Sequence, residues 1–312
     1  MIYKQATTDM SREEWLEQRK KTIGGSDAAA VLGLSKYTSP YAIWCEKTGK
    51  LIAKDRGPQE PLRLGRDLEE YVRHRWTEVT GKGLEPDPNF WYNTDYPFAH
   101  GNIDGLVVGE DAGFEAKTTA SYDIYHQCRE GSYPEAWKVQ MLHYMMVTGK
   151  QKWYLGVLCF GKGFYCFELE RDEAQIAALA EQERQFWQHV ESGTPPAADG
   201  SDSTTDALKA VLGDSTAGKT VELDPVGTHV TEYVVLEEKI RGLQTRQAEH
   251  RNAIMAYMGD GEKGTYGDVT VHFKTRRSSI FDRKAFEAAN GKIGAMYFKQ
   301  CDSRPFKVSV RK

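Results

Sequence analysis

Residues 102–118 read NIDGLVVGEDAGFEAKT, two short runs of apolar and branched side chains divided by the turn residues Gly-Glu-Asp-Ala-Gly. Such a pattern predicts a hairpin in which 103–108 pairs with 113–118. Side chains two apart in a strand share a face, so Glu115 and Lys117 project together. Pairing across the turn then brings Asp104 beside Glu115. Two carboxylates held that close repel unless a cation lies between them, and hard oxygen ligands suit Mg²⁺, with Mn²⁺ as a substitute. A lysine next to such a metal can orient an attacking water and help deprotonate it. The metal itself stabilises charge on a phosphate oxygen and on the departing 3′ oxygen. That combination is what phosphodiester hydrolysis requires. Taken alone, though, the string is unspecific, because a half-buried hairpin with one surface Glu/Lys pair gives the same letters.

Outward from the hairpin the context sharpens. Upstream, Gly65 and Glu69 lie on a helix predicted over 65–80 and ended by Gly81. Downstream, Gln140 and Tyr144 sit four apart and so share one face of a helix predicted over 134–148, with Pro134 in its first turn. Glu69 could take a water on the metal, and Gln140 could bind a phosphate or the water. Near the start, Trp15 and Arg19 precede Gly24-Gly25-Ser26-Asp27. Ser26 reads as the N-cap of a helix over 26–32, and the glycine pair as backbone that can approach a ligand closely. With Arg19 nearby, those exposed amides form a candidate phosphate cradle.

In this order the motifs resemble the YqaJ-like viral recombinases, relatives of phage lambda exonuclease with a restriction-endonuclease-like core. The resemblance runs from about Trp15 to Phe167: Trp-x3-Arg, Gly-Gly-Ser-Asp, Gly-x3-Glu, Asp-Gly, Glu-x-Lys and Gln-x3-Tyr. It implies an α/β fold, a central mixed sheet flanked by helices. It implies a metal held by Asp104, Glu115 and the Ala116 carbonyl, with Lys117 acting on the water and Glu69 and Gln140 in support. Arg19 and Ser26 would hold a DNA 5′ phosphate, with Asn102 and Tyr144 as further DNA contacts, so that one strand of a linear duplex is digested 5′→3′. Also implied are double-stranded DNA ends as substrate, a single-strand annealing protein as partner, a homo-oligomer of the trimeric-ring kind, and a phage or prophage protein in the bacterial cytoplasm. One position departs from the pattern: Ile103 stands where the motif usually has proline, a residue that shapes the turn and supplies no ligand.

The remaining chain is less specific. Predicted hairpin strands at 152–160 and 163–169 and a helix over 171–191 complete a nuclease core over 1–193. Residues 193–200 read as linker, extended by small polar residues so that 194–226 is taken as one connection. Beyond it, 227–312 is expected to be an accessory region that grips DNA, mediates oligomerisation or docks a partner: a helix over 230–258, then strand-like pieces at 265–274 and 306–310. The charge follows this division. The net charge is −4, yet residues 263–312 carry 12 Lys+Arg against 4 Asp+Glu, leaving 29 against 41 in the rest. An acidic body with a basic tail suits a carboxylate centre with a separate DNA-contacting surface, and equally a solvated basic patch.

Apolar residues at 40% and charged residues at 28% are those of a globular protein, and no run approaches the ~20 apolar residues of a membrane span. Met1–Lys20 mixes acids and bases, unlike a signal peptide. Five scattered cysteines without a C-x-x-C pair read as reduced thiols and argue against a cysteine-held cluster. Three other readings compete with the exonuclease: an endonuclease or repair nuclease on the same core, a DNA-binding relative without catalysis, and a hydrolase of small phosphoesters.

Overall fold

A computed structural model describes residues 1–51, 60–279 and 281–290 of the chain, which divides into two units, 1–213 and 214–312. The first unit opens with β1 (Ile2–Ala6) and α1 (Arg12–Lys20). Ser11 Oγ accepts from the Glu14 amide while the Glu14 carboxylate accepts from the Ser11 amide, so a reciprocal cap fixes where α1 begins. Next come β2 (Ile23–Gly24), α2 (Gly25–Val31) and α3 (Pro40–Lys47), the last started by Ser39 and by a proline in its first turn. The helix predicted over 65–80 is two helices, α4 (Glu60–Asp67) and α5 (Glu69–Thr80). Leu68, at φ −97° and ψ −3°, separates them and leaves Glu69 at the first position of α5. Gly81 ends α5 as expected, in the left-handed conformation that glycine alone adopts without strain.

Then follow β3 (Leu84–Glu85), β4 (Asn89–Asn93), β5 (Ala99–Asn102), β6 (Gly105–Val107) and β7 (Ala112–Thr119). Two helices, α6 (Tyr122–Arg129) and α7 (Glu135–Thr148), lead to β8 (Lys152–Cys159), β9 (Gly163–Glu170) and α8 (Glu173–Ser192). Among the described residues the unit carries a five-stranded sheet, β3-β6-β7-β8-β9, and a four-stranded sheet, β1-β4-β5-β2. In the first, β7 and β8 run parallel and the other pairs antiparallel, which is why a helical crossover separates those two strands. The expected α/β architecture, a mixed sheet with helices against it, is therefore what the chain adopts.

Strand alternation sends side chains of the five-stranded sheet to two separate cores. Ala112, Phe114 and Tyr154 join Val72 and Trp76 of α5 on one side. Trp153, Leu155 and Val157 join α7 on the other. Burying Phe114 alone contributes about 1.5–3 kcal/mol. Gly113 faces the α7 side, where a side chain would collide with the Trp153 indole. Every residue of α7 from Val139 to Thr148 is buried, so this stretch of the helix is enclosed on all sides and any polar group on it must find a partner inside the protein.

The connection expected over 194–226 is interrupted by α9 (Asp202–Leu212). Its Ala207 lies in the main core, and Thr204 Oγ1 donates to Ser39 Oγ at 2.8 Å. Alternation of apolar with small polar residues hid an amphipathic helix there, and the first unit consequently extends to Gly213. In the second unit α10 (Gly227–Met258) is the long helix expected, with no buried residue. It is followed by the antiparallel pair β10 (Lys263–Tyr266) and β11 (Val269–His272) and by α11 (Arg283–Asn290). The strand expected at 306–310 and the end of the basic tail lie outside the described residues. No helix among the described residues is long and apolar enough to cross a membrane. Cys45, Cys128 and Cys159 are buried and free, and Cys166 is free and half-buried.

Candidate active site

The β6–β7 register pairs Gly105 with Phe114, and one further step sets Asp104 opposite Glu115. Asp104 Oδ2 accepts from the Ala116 amide at 2.8 Å, which ties the residue before β6 to the middle of β7. Glu115, only 3% exposed, points toward α7. Its Oε1 accepts from Lys117 Nζ at 2.5 Å and from Gln140 Nε2 at 2.8 Å. Lys117 Nζ also donates to Gln140 Oε1 at 2.8 Å, and Gln140 Nε2 reaches Tyr144 Oη at 2.9 Å. The Gln140 amide thus turns its oxygen to the ammonium and its nitrogen to the carboxylate and the phenol. Glu115 Oε2, by contrast, is buried with no hydrogen-bond partner among the described residues.

That imbalance shows in the protonation of the cluster. Burial, and then the Glu115 charge, push the Asp104 carboxyl up to about 8, against the opposing pull of the Ala116 amide and Lys117. Burial and the same two carboxylates hold the Tyr144 phenol well above its usual range, so it remains a hydroxyl. Glu69 is raised by burial and by Asp104, while Arg73 works against both. Arg73 pairs with the Glu69 carboxylate and donates to the Asp104 carbonyl at 3.3 Å.

A second group forms where α1 meets α2. The Arg19 guanidinium lies 4.9 Å from the Trp15 ring centre, which accounts for a Trp-x3-Arg spacing on one helix face. Its Nη2 donates to Ser26 Oγ at 2.6 Å and stands 3.6 Å from Asp27 Oδ1. Asp27 Oδ2 accepts from Lys47 Nζ at 2.7 Å and from the Gly24 amide at 3.1 Å. Burial would push the Asp27 carboxyl up, but Lys47 and Arg19 outweigh it and bring it down to about 2. His100, beneath Gly24, is driven well below its usual range by burial and by Lys47, so its ring is neutral.

Tyr144 joins the two groups. Its ring fills the space a side chain at Gly25 would need, while its hydroxyl meets Gln140. Gly24 is confined in the same way, since a Cβ there would sit 2.9 Å from His100 Nε2. The glycine pair therefore admits two of the protein's own rings, which differs from the open backbone expected for a ligand. The N-cap position of α2 belongs to Gly24, not Ser26, because the Asp27 side chain already satisfies the Gly24 amide. Asn102 is turned to the neighbouring strand, with Nδ2 donating to the Asn89 carbonyl at 3.2 Å. Of the candidate residues, Asp104, Glu115, Lys117, Gln140 and Tyr144 come together, Glu69 stands beside them on Arg73, Arg19 and Ser26 pair next to Tyr144, and Asn102 serves the sheet. Lys47 and Arg73 escaped sequence reasoning, each being one basic residue on an ordinary helix with no local signature.

Comparisons with known proteins follow the same outline. The model of the YqaJ-like viral recombinase domain matches residues 14–151, a span holding every candidate residue. Over 281 residues the chain is 33% identical to YqaJ of Bacillus subtilis (strain 168), itself uncharacterized, covering 89% of this chain and 88% of that one. Among solved structures it is similar to the alkaline exonuclease LHK-Exo from Laribacter hongkongensis, at 21% identity and a TM-score of 0.48, over 58% of this chain and 94% of that one. A phage related exonuclease from Haemophilus somnus 129PT is similar at 12% identity and a TM-score of 0.41, over 57% and 99% of the two chains.

Proposed function

The chain belongs to the YqaJ-like viral recombinase family, and on that footing we propose that it is a metal-dependent DNA exonuclease that degrades one strand of a linear duplex 5′→3′ from a phosphorylated end. The observation that carries this reading is the cluster of Asp104, Glu115, Lys117 and Gln140, in which one buried carboxylate oxygen, Glu115 Oε2, has no hydrogen-bond partner among the described residues. A divalent cation fits these residues. Burial and then the Glu115 charge push Asp104 up to about 8, and an unsatisfied buried oxygen is a costly group that a cation would relieve. Among the described residues no group of three or more His, Cys, Asp or Glu side chains is placed to hold a metal ion, and the donors assigned in this reading are Asp104, Glu115 and the Ala116 carbonyl, completed by water. Mg²⁺ suits such oxygens, and Mn²⁺ would substitute.

When bound, the cation supplies charge stabilisation to the phosphate oxygens and the departing 3′ oxygen. The chain's own residues do the rest. Lys117 spends two of its three N–H donors on Glu115 and Gln140, which fixes the ammonium and leaves the third to hold an attacking water. Gln140 keeps Glu115 Oε1 occupied, so that Oε2 is the free oxygen. Arg19 keeps donors of its planar fork beyond the Ser26 bond, the geometry that recognises a terminal phosphate. Tyr144, in contact with both groups, sets the spacing from that phosphate to the scissile bond. Family membership supports a role in recombination beside a single-strand annealing protein, and the resemblance to ring-forming relatives supports a homo-oligomer. The second unit is assigned to DNA retention, assembly or partner docking.

Digestion of linear duplex DNA carrying a 5′ phosphate on one strand only, with Mg²⁺ and with EDTA, tests this reading, with closed circular DNA run beside it. Metal-dependent loss of the phosphorylated strand with the circle intact is expected. Cutting of the circle would make the protein an endonuclease on the same residues.

A further inference from the structure

The pairing of Arg19 with Ser26 depends on two helices meeting at a fixed distance, and what fixes it is a buried cation on a third. The Lys47 side chain is 2% exposed. Its Nζ donates to the Arg19 carbonyl at 2.8 Å, at the end of α1, and to Asp27 Oδ2 at 2.7 Å, in the first turn of α2. Asp27 Oδ2 also accepts from the Gly24 amide at 3.1 Å, so one ammonium and one carboxylate pin the strand and helix that carry Ser26 to the helix that carries Arg19. Desolvating a lysine this completely is expensive, and a hydrophobic side chain would pack at lower cost. That cost is offset by the bonds the ammonium makes to Asp27 and to the Arg19 carbonyl, and those bonds are what join the helices.

Charge follows the same logic. Asp27 balances the Lys47 cation at 2.7 Å, yet stays 3.6 Å from Arg19 Nη2, beyond a hydrogen bond. Arg19 therefore donates to Ser26 and keeps the rest of its fork for an incoming anion. From this geometry we infer that Lys47 and Asp27 are positioning residues for recognition of a DNA 5′-terminal phosphate, acting through Arg19 and Ser26 without touching the phosphate. The inference rests on the reading of Arg19 and Ser26 as the end-phosphate site.

The test compares the full chain with Asp27→Asn/Lys47→Met, which neutralises both buried charges together and so avoids leaving either unpaired. Arg19→Ala serves as the reference for loss of the site itself. Initial rates are measured on duplexes with 5′-phosphate and with 5′-hydroxyl ends, and KM is separated from kcat. The wild type is expected to favour phosphorylated ends, Arg19→Ala to lose that preference, and the double variant to lose about tenfold or more of it through a raised KM. Asp27→Asn alone, which takes the carboxylate from Lys47 but keeps the shape and an acceptor oxygen, is expected to give a loss in the same direction and carries the test if the double variant does not fold. Full preference retained in a folded double variant, or in Asp27→Asn where that is the folded one, overturns the inference while the end-phosphate site stands. A wild type indifferent to the terminal phosphate removes both.

Discussion

Two carboxylates in this protein sit close to cations and end in opposite states. Asp27 is held down to about 2 against burial by Lys47 and Arg19, with Oδ2 accepting from Lys47 and the Gly24 amide and Oδ1 facing Arg19. Asp104 is pushed up to about 8, because its neighbour is a second acid and the nearby ammonium of Lys117 is given to Glu115 and Gln140. Burial works the same way at both places; partner count decides the sign. The region around Asp27 is electrostatically complete and behaves as structure. The region around Asp104 and Glu115 is electrostatically incomplete, with a buried Glu115 oxygen that has no hydrogen-bond partner among the described residues, the arrangement expected of a functional site.

The largest effects should come from the incomplete region and fall on chemistry. Glu115→Gln is expected to abolish cleavage and to bring the Asp104 carboxyl part of the way back down from about 8, because it removes the Glu115 charge that adds to burial there. Lys117→Ala should slow hydrolysis by about 10²–10⁴-fold with the fold intact by circular dichroism. An Asp104 carboxyl left near 8 in Glu115→Gln, followed by NMR titration, would mean that burial alone raises it, and the contrast with Asp27 would owe nothing to its acidic neighbour. In the complete region the dominant effect should instead be on folding. Lys47→Met leaves Asp27 buried without its main partner and is expected to cost about 3–5 kcal/mol in chemical denaturation. A cost under about 1 kcal/mol would show that water reaches Asp27 readily.

Much of this contrast was legible in the chain and some of it was not. The hairpin and the proximity of Asp104 to Glu115 followed from strand alternation and a turn, both local signals, and the observed register agrees. The shared face of Gln140 and Tyr144 followed from helical spacing. What local pattern could not give was the use of the glycine pair. Gly24 and Gly25 make room for His100 and Tyr144, which lie 76 and 119 positions further along the chain. Lys47 was invisible for the same reason, since nothing in its helix distinguishes a buried lysine from a solvated one. The α9 helix was lost to its small polar residues, of which Thr204, with the Ser201 cap before it, spends its hydroxyl on Asp199 and Ser39. Asn102 was assigned by its place in a motif, and its amide is directed to a backbone carbonyl instead.

Acid sharpens the comparison further. The folded Asp27 carboxyl titrates near 2 against an ordinary value of 3.8, so the stability it adds is fully present above about pH 4 and is lost as pH falls toward 2. About 2 kcal/mol is expected to disappear over that window in the wild type and to be missing already in Asp27→Asn at pH 6. Parallel acid profiles for the two proteins would show that Asp27 is not held down, and the asymmetry with Asp104 would have to come from Asp104 alone.

The smallest expected effect concerns the strand that connects the two regions. β5 pairs with β2 beside the glycine pair and leads within two residues to Asp104. Asn102, at its end, donates to the Asn89 carbonyl and so braces β5 against β4. Removing a half-buried hydrogen bond of this kind costs about 0.5–1.5 kcal/mol. Asn102→Ala should therefore lower stability by that amount and leave cleavage of 5′-phosphorylated duplex within about twofold, since a bond of that size does not by itself displace Asp104, which the Ala116 amide also holds. A loss of activity well beyond twofold at unchanged stability would return Asn102 to the DNA, and the two regions would then share a contact that the present geometry gives to the sheet.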